Sequence, residues 1–242
     1  MSPTPSARGR ELIALLQRIV TQYRAPALAS AFGAESMVLI DLIARHAFPI
    51  AVFTLDTGRL PQETYELMDR VRERYRLTIE TYSPDAKSVE AFVRTHGVNA
   101  FYRGVELRER CCAIRKTAPL ARALAGRDAW ITGLRRAQSV TRSDLSVEAF
   151  DAEHGLAKFN PMVDWSEEEV WSYIRRHDVP TNPLHALGYP SIGCAPCTRA
   201  IEPGENIRAG RWWWERPEHK ECGLHRRPIA IPVREERVGA AS

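Results

Sequence analysis

No apolar run in this sequence approaches the roughly 18 residues needed to cross a bilayer, so no membrane association is expected. The first ten residues, Met1 to Arg10, lack the apolar stretch of a secretion signal, and a cytoplasmic location is expected. There is no internal repeat and no low-complexity segment, which excludes a repeat array. Neither a Walker A loop nor a G-x-G-x-x-G fingerprint occurs, so the two commonest phosphate-binding signatures are absent. Cysteine is sparse, with five in 242 residues. Without an export signal, five thiols make a poor disulfide framework, because the cytosol keeps thiols reduced. Metal binding or thiol chemistry is the better expectation.

What is present is a chain with 44% hydrophobic residues, enough for a sizeable core. The formal charge is only +4, but residues 103–142 hold ten Arg/Lys against three Asp/Glu. That stretch is +7 and the remainder therefore −3. A concentrated positive field suits a small polyanion such as a nucleotide. A nucleic-acid patch or a solvated helix face would look similar, although no aromatic residues alternate with these charges.

Leu12, Ile13, Leu15, Leu16, Ile19 and Val20 fall at helical spacing within Glu11 to Tyr23, and Ala27 to Phe32 reads as a buried strand. The alternation continues with a helix over Glu35 to His46, a strand over Ile50 to Leu55 and a helix from Pro61, with Pro at its first position. A strand at Leu77 to Thr81, a helix at Ser88 to His96, a basic helix at Glu106 to Ala125 and a strand at Ala129 to Thr132 follow. Such alternation predicts an α/β fold, a mainly parallel sheet with flanking helices. Ser166 and Glu169 form a capping box that starts a helix running to about His177. Beyond Pro180 the regular pattern stops, which predicts an irregular C-terminal extension with a disordered end from about Ile231.

Three polar, turn-forming loops fall at strand ends: Ser30 to Ser36, with Gly33, Ala34 and Glu35 opening a helix; Leu55 to Arg59, with Thr57 and Gly58; and Thr132 to Arg136, with Gly133. In open α/β sheets ligands gather at these carboxyl ends, and helix N-termini offer free N–H groups to phosphate. The three together favour a nucleotide crevice over three unrelated turns.

Cys111-Cys112 and the Cys-x-x-Cys of Cys194 and Cys197 make two pairs about eighty residues apart, the count for zinc or an iron-sulfur cluster. Adjacent cysteines fit one tetrahedral ion poorly and reach two corners of a larger cluster more easily, which favours the cluster. Ordinary buried thiols on a helix and a redox disulfide are the structural alternatives. The fifth cysteine, Cys222, lies outside both pairs among Arg211, Arg216, Lys220, His225, Arg226 and Arg227, charges that favour a thiolate nucleophile.

Four segments carry a family resemblance: Cys111-Cys112-Ala113-Ile114-Arg115-Lys116, Gly193 to Arg199, Arg208 to Glu215, and Lys220 to His225. Over about Leu28 to Pro228 the chain resembles the iron-sulfur branch of the sulfonucleotide reductases, the assimilatory adenosine 5′-phosphosulfate reductases. The resemblance implies an adenine nucleotide alpha-hydrolase-like fold and one four-iron four-sulfur cluster on Cys111, Cys112, Cys194 and Cys197. It also implies attack of Cys222 on the sulfate sulfur, loss of AMP, and release of sulfite from an S-sulfocysteine by thioredoxin or a glutaredoxin-like reductant. Lys116, Arg142, Arg208, Arg211 and His225 match the family's basic substrate contacts. Ser30, Gly33, Glu35, Leu55, Thr57 and Gly133 match its nucleotide loops, with Ala34 and Gly58 beside them.

On this reading residues 1–198 form the nucleotide-binding reductase domain and residues 199–242 a partly flexible extension carrying the nucleophile. No nucleic-acid partner is expected, and homo-oligomerisation is compatible with the sequence. Two departures stand in the first loop, where Ala31-Phe32 replaces a more serine-rich pair and Ser36 stands where an acidic residue is common. Trp212 to Trp214 are expected to pack the extension. The rival readings are a reductase for the 3′-phosphorylated nucleotide, an ATP-consuming adenylating enzyme, and a zinc-stabilised nucleic-acid-binding module.

Overall fold

A computed structural model describes residues 7–139 and 142–216. Helix α1 (Ala7–Gln22) buries Leu12, Leu16 and Ile19, spaced one helical turn apart. Strand β1 (Pro26–Ala29) is followed by α2 (Ala34–Arg45), almost wholly buried, and by β2 (Ala51–Leu55). Helix α3 (Gln62–Tyr75) has Pro61 as its N-cap, one position outside the place expected for it. β3 (Ile79–Tyr82) and α4 (Ala86–His96) follow, with Asp85 capping the N-terminus by accepting from Ser88 N at 2.8 Å.

The single basic helix expected over residues 106–125 is broken in two. Helix α5 (Val105–Cys112) ends at the tandem cysteines, a π turn spans Ala113–Thr117, and α6 (Ala118–Leu124) continues from it. After β4 (Ala129–Ile131) come β5 (Glu148–Asp151) and β6 (Leu156–Phe159), an antiparallel hairpin absent from the sequence reading. Helix α7 (Glu167–His177) bears the expected capping box: Ser166 Oγ accepts from Glu169 N at 3.1 Å, and Ser166 N donates to Glu169 Oε2 at 2.7 Å.

The strands order as β3-β2-β1-β4-β6-β5, all parallel except the edge pair β5–β6. One face packs α1, α2 and α7 through Leu16, Leu39 and Ile174; the other packs α6 through Leu120 and Leu124 against Phe53 and Trp130. Remote from the strand ends, Asp41 is fully buried and takes Arg45 Nε at 2.7 Å and the Tyr75 and Tyr173 hydroxyls at 2.9 and 2.7 Å. One carboxylate thereby ties α2, α3 and α7 together, and three donors offset the cost of burying it.

The chain order reverses at β1, whose neighbours are β2 and β4. The loops leaving β1 and β4 therefore splay apart at the carboxyl edge, the position where such sheets form a ligand crevice.

Candidate active site

The crevice is a cleft of ≈ 270 Å³ at that edge. Strand β1 ends three residues before the expected Phe32 because the chain turns there: Phe32 adopts φ 55°, its ring fully buried, and its N–H donates to Ser30 Oγ at 3.1 Å. A bulky residue in left-handed backbone is a strained conformation that clusters at functional sites. Gly33 then caps α2 without a side chain, leaving the helix N-terminus free to face a ligand. Gly133 on the β4 loop packs so closely that a Cβ would lie 3.0 Å from Glu35 Cβ and 3.3 Å from Ser36 N.

Of the expected nucleotide residues, Ser30, Gly33, Glu35, Leu55, Thr57, Gly133 and Arg142 line the cleft, as do the cations Lys116, Arg208 and Arg211. Ala34 and Gly58 do not. Ala34 is buried at the start of α2, and Gly58 takes φ 67° in a turn whose N–H donates to Asp56 Oδ1 at 2.8 Å. Glu35 does not present a free carboxylate: it holds Arg135 Nε at 2.7 Å, and Arg135 also donates to Trp165 O at 3.2 Å. Arg142 donates to Gln138 Oε1. Cys222 and His225 lie outside the described residues.

Three ionisable cleft residues were not named as site candidates from sequence: Arg135, Glu167 and His185. Arg135 follows Gly133 in a loop already singled out, so its position at a strand end was the available signal. Glu167 was absorbed into a helix-start pattern, and His185 sits in a 3₁₀ turn with no periodicity to reveal it.

Next to the cleft, Cys111, Cys112, Cys194 and Cys197 line one small cavity. All four are free thiols, three of them buried. Cys111 and Cys112 arrive at the end of α5, just before the π turn; such turns recur at functional sites because they shift helix register. Cys194 and Cys197 flank a 3₁₀ turn pinned to the β2 loop by Ala195 N donating to Arg59 O at 2.8 Å. Thr57 Oγ1 lies 3.2 Å from Cys194 Sγ. Phe101, Trp212 and Trp214 wall the thiols.

Burial pushes the Cys197 thiol up to about 12, reinforced by Cys194 and opposed by Lys116 and Arg211; burial likewise raises Cys111, with Arg115 opposing. Among the described residues, no group of three or more His, Cys, Asp or Glu side chains is arranged to hold a single metal ion. The four thiols surround a space instead of converging on a point.

Residues 199–216 fold back over this cavity. Thr198 and Arg211 form an isolated antiparallel bridge, and Trp212 N donates to Cys197 O at 3.1 Å. Of Trp212 to Trp214, expected to pack the extension, Trp212 is fully buried, with the Arg211 and Arg108 guanidinium carbons 4.7 and 4.9 Å from its ring centroid, whereas Trp213 is exposed. Arg108 also makes a buried ion pair with Glu215, Nη2 to Oε2 at 2.8 Å, joining α5 to the far end of this segment. Gly193 lets the Arg211 guanidinium lie directly against the backbone, where a Cβ would displace it. Lys116, Cys194 and Trp212 line both cavities, so the thiol pocket and the cleft share a wall.

Fold and site together define an α/β nucleotide-type enzyme with a thiol-lined chamber beside its ligand cleft. Residues 25–200 match the phosphoadenosine phosphosulfate reductase domain, and the chain belongs to that family. It is 54% identical over 227 residues to the adenosine 5′-phosphosulfate reductase of Allochromatium vinosum, covering 94% of this chain and 89% of that one. It is 52% identical over 242 residues to the Burkholderia cepacia protein of the same name, covering 100% and 96%. Among solved structures it resembles a phosphoadenylyl-sulfate reductase from Candida auris, at 27% identity and TM-score 0.67, over 83% of this chain and 100% of that one. Yeast FAD synthetase shares the fold alone, at 14% identity and TM-score 0.54, over 82% and 70%.

Proposed function

We propose that this chain reduces adenosine 5′-phosphosulfate to sulfite and AMP, as an oxidoreductase of assimilatory sulfate reduction. The observation that carries the reading is the shared wall: Lys116, Cys194 and Trp212 face both the nucleotide cleft and the four-cysteine chamber, and Arg211 on the cleft acts electrostatically on Cys197. The relatives named for this activity match nearly the whole chain.

In the proposed reaction the Cys222 thiolate attacks the sulfate sulfur, the bond from that sulfur to the phosphate oxygen breaks, and AMP leaves. An external dithiol of the thioredoxin or glutaredoxin type then attacks the S-sulfocysteine. Sulfite departs, and disulfide exchange restores the Cys222 thiol. Sulfur is reduced by two electrons and the dithiol is oxidised to a disulfide, so the electrons balance with no other donor. Two anions must approach each other in the first step, and pre-placed cations offset that repulsion. Lys116, Arg208 and Arg211 are so placed on the cleft, and Arg142 extends the set. His225 belongs with Cys222 on the segment from residue 217 onward.

The four thiols suit a four-iron four-sulfur cluster in number, burial and apolar shell, with Lys116 and Arg115 at hand to offset thiolate charge. The space among them is ≈ 20 Å³, about one water, so a cluster would be seated by spreading these side chains. Bound there, it would supply fixed charge and cross-bracing, since the dithiol supplies both electrons.

Measuring turnover with adenosine 5′-phosphosulfate and its 3′-phosphorylated form side by side tests the reading. Preference for the unphosphorylated nucleotide is expected; preference for the other overturns it.

A further inference from the structure

The cleft lining carries charged groups of both signs. At the cysteine end stand Lys116 and Arg211, close enough to act electrostatically on Cys197. A second group on the cleft lining is His185, which feels Glu35 and Glu167. The side chains grouped with His185 bring no unpaired cation. Glu35 and Arg135 neutralise each other across 2.7 Å. Glu167, in the first turn of α7, lines the cleft, is exposed and has no ion-pair partner among the described residues. His185 supplies no compensating cation: its Nδ1 lies 2.9 Å from Tyr189 O, its Nε2 is buried without a partner, and burial pushes its pKa down.

From this geometry we propose that Glu167 is a selectivity residue, whose carboxylate disfavours a second phosphate on the ribose of the bound nucleotide. The inference rests on the proposed function and adds an orientation to it, with the 5′ anionic group toward the cysteines and the nucleoside toward Glu167. A ligand with one anionic terminus matches the cations beside Cys197. A ligand with a further phosphate brings like charges together, which costs affinity and distinguishes two otherwise identical nucleotides.

The probes are AMP and adenosine 3′,5′-bisphosphate, titrated calorimetrically into the full-length protein at low ionic strength. The wild type is expected to bind AMP more tightly. In Glu167→Gln the ratio of the bisphosphate Kd to the AMP Kd should fall about fivefold, the scale of one screened charge interaction, and in Glu167→Lys it should fall further. Salt should erode the wild-type discrimination and leave that of Glu167→Gln less affected. Because the readout is a ratio within each variant, a general loosening of the α7 N-terminus moves both constants and leaves the ratio alone. A ratio unmoved in both variants, with AMP still bound, overturns the role of Glu167 while sparing the nucleotide cleft. Failure of the wild type to bind either nucleotide overturns the cleft reading and this inference together.

Discussion

Arg108 shows how much of this site depends on single side chains outside the cleft. Its guanidinium is buried in an ion pair with Glu215 and stacked over Trp212. Arg108→Met leaves the Glu215 carboxylate buried and uncompensated, which should cost about 3–5 kcal/mol in denaturant unfolding. Adding Glu215→Gln should recover much of that loss, whereas additive losses would contradict the pairing. A second residue-scale consequence concerns pH. His177 and His185 are both pushed below their ordinary value of 6.5 by burial. The unfolded chain therefore takes up protons first, so their contribution to stability is full above pH 6.5 and is lost as the pH falls below it. The acid limb of a stability profile should flatten in His185→Phe; a profile identical to the wild type's would exclude this.

The elements around the thiols were only partly legible in sequence. The spacing of the cysteine pairs announced a four-thiol site, and the structure brings all four to one cavity. The π turn at Ala113–Thr117 was not legible, because local spacing carries no sign of it and its Arg115 donates to Thr57 O, a contact 58 residues away. The β5–β6 hairpin escaped for a different reason. Its outer strand leaves Glu148, Ala149 and Phe150 exposed, so it has no buried face to impose alternation. Capping chemistry, being local, was read correctly at Ser166 and Glu169. The proposed cluster belongs to this scale, since it joins α5 to the 194–197 turn. Cys194→Ser should abolish iron and labile-sulfide content and the broad visible absorbance that accompanies them, measured on anaerobically purified protein. A colourless wild type with stoichiometric zinc would contradict the cluster.

At the scale of the whole molecule, the sheet order explains why residues scattered from Ser30 to Arg211 meet. Reversal of chain order at β1 opens the carboxyl edge between β1 and β4, and α2, the π turn and the 199–216 segment close around that opening. The parallel sheet followed from the alternation of elements alone. The convergence of the cations did not, because Lys116 and Arg211 lie 95 positions apart and line one cleft only through the fold. What the architecture leaves to the segment beyond residue 216 is the covalent step assigned to Cys222. Mass spectrometry of the intact protein and its peptides, after mixing with adenosine 5′-phosphosulfate in the absence of any reductant, tests that assignment most directly. The account predicts a sulfite-sized adduct on the Cys222 peptide, absent from Cys222→Ser and released by added thioredoxin. Sulfite production without any adduct, or an adduct on one of the other four cysteines, would contradict it.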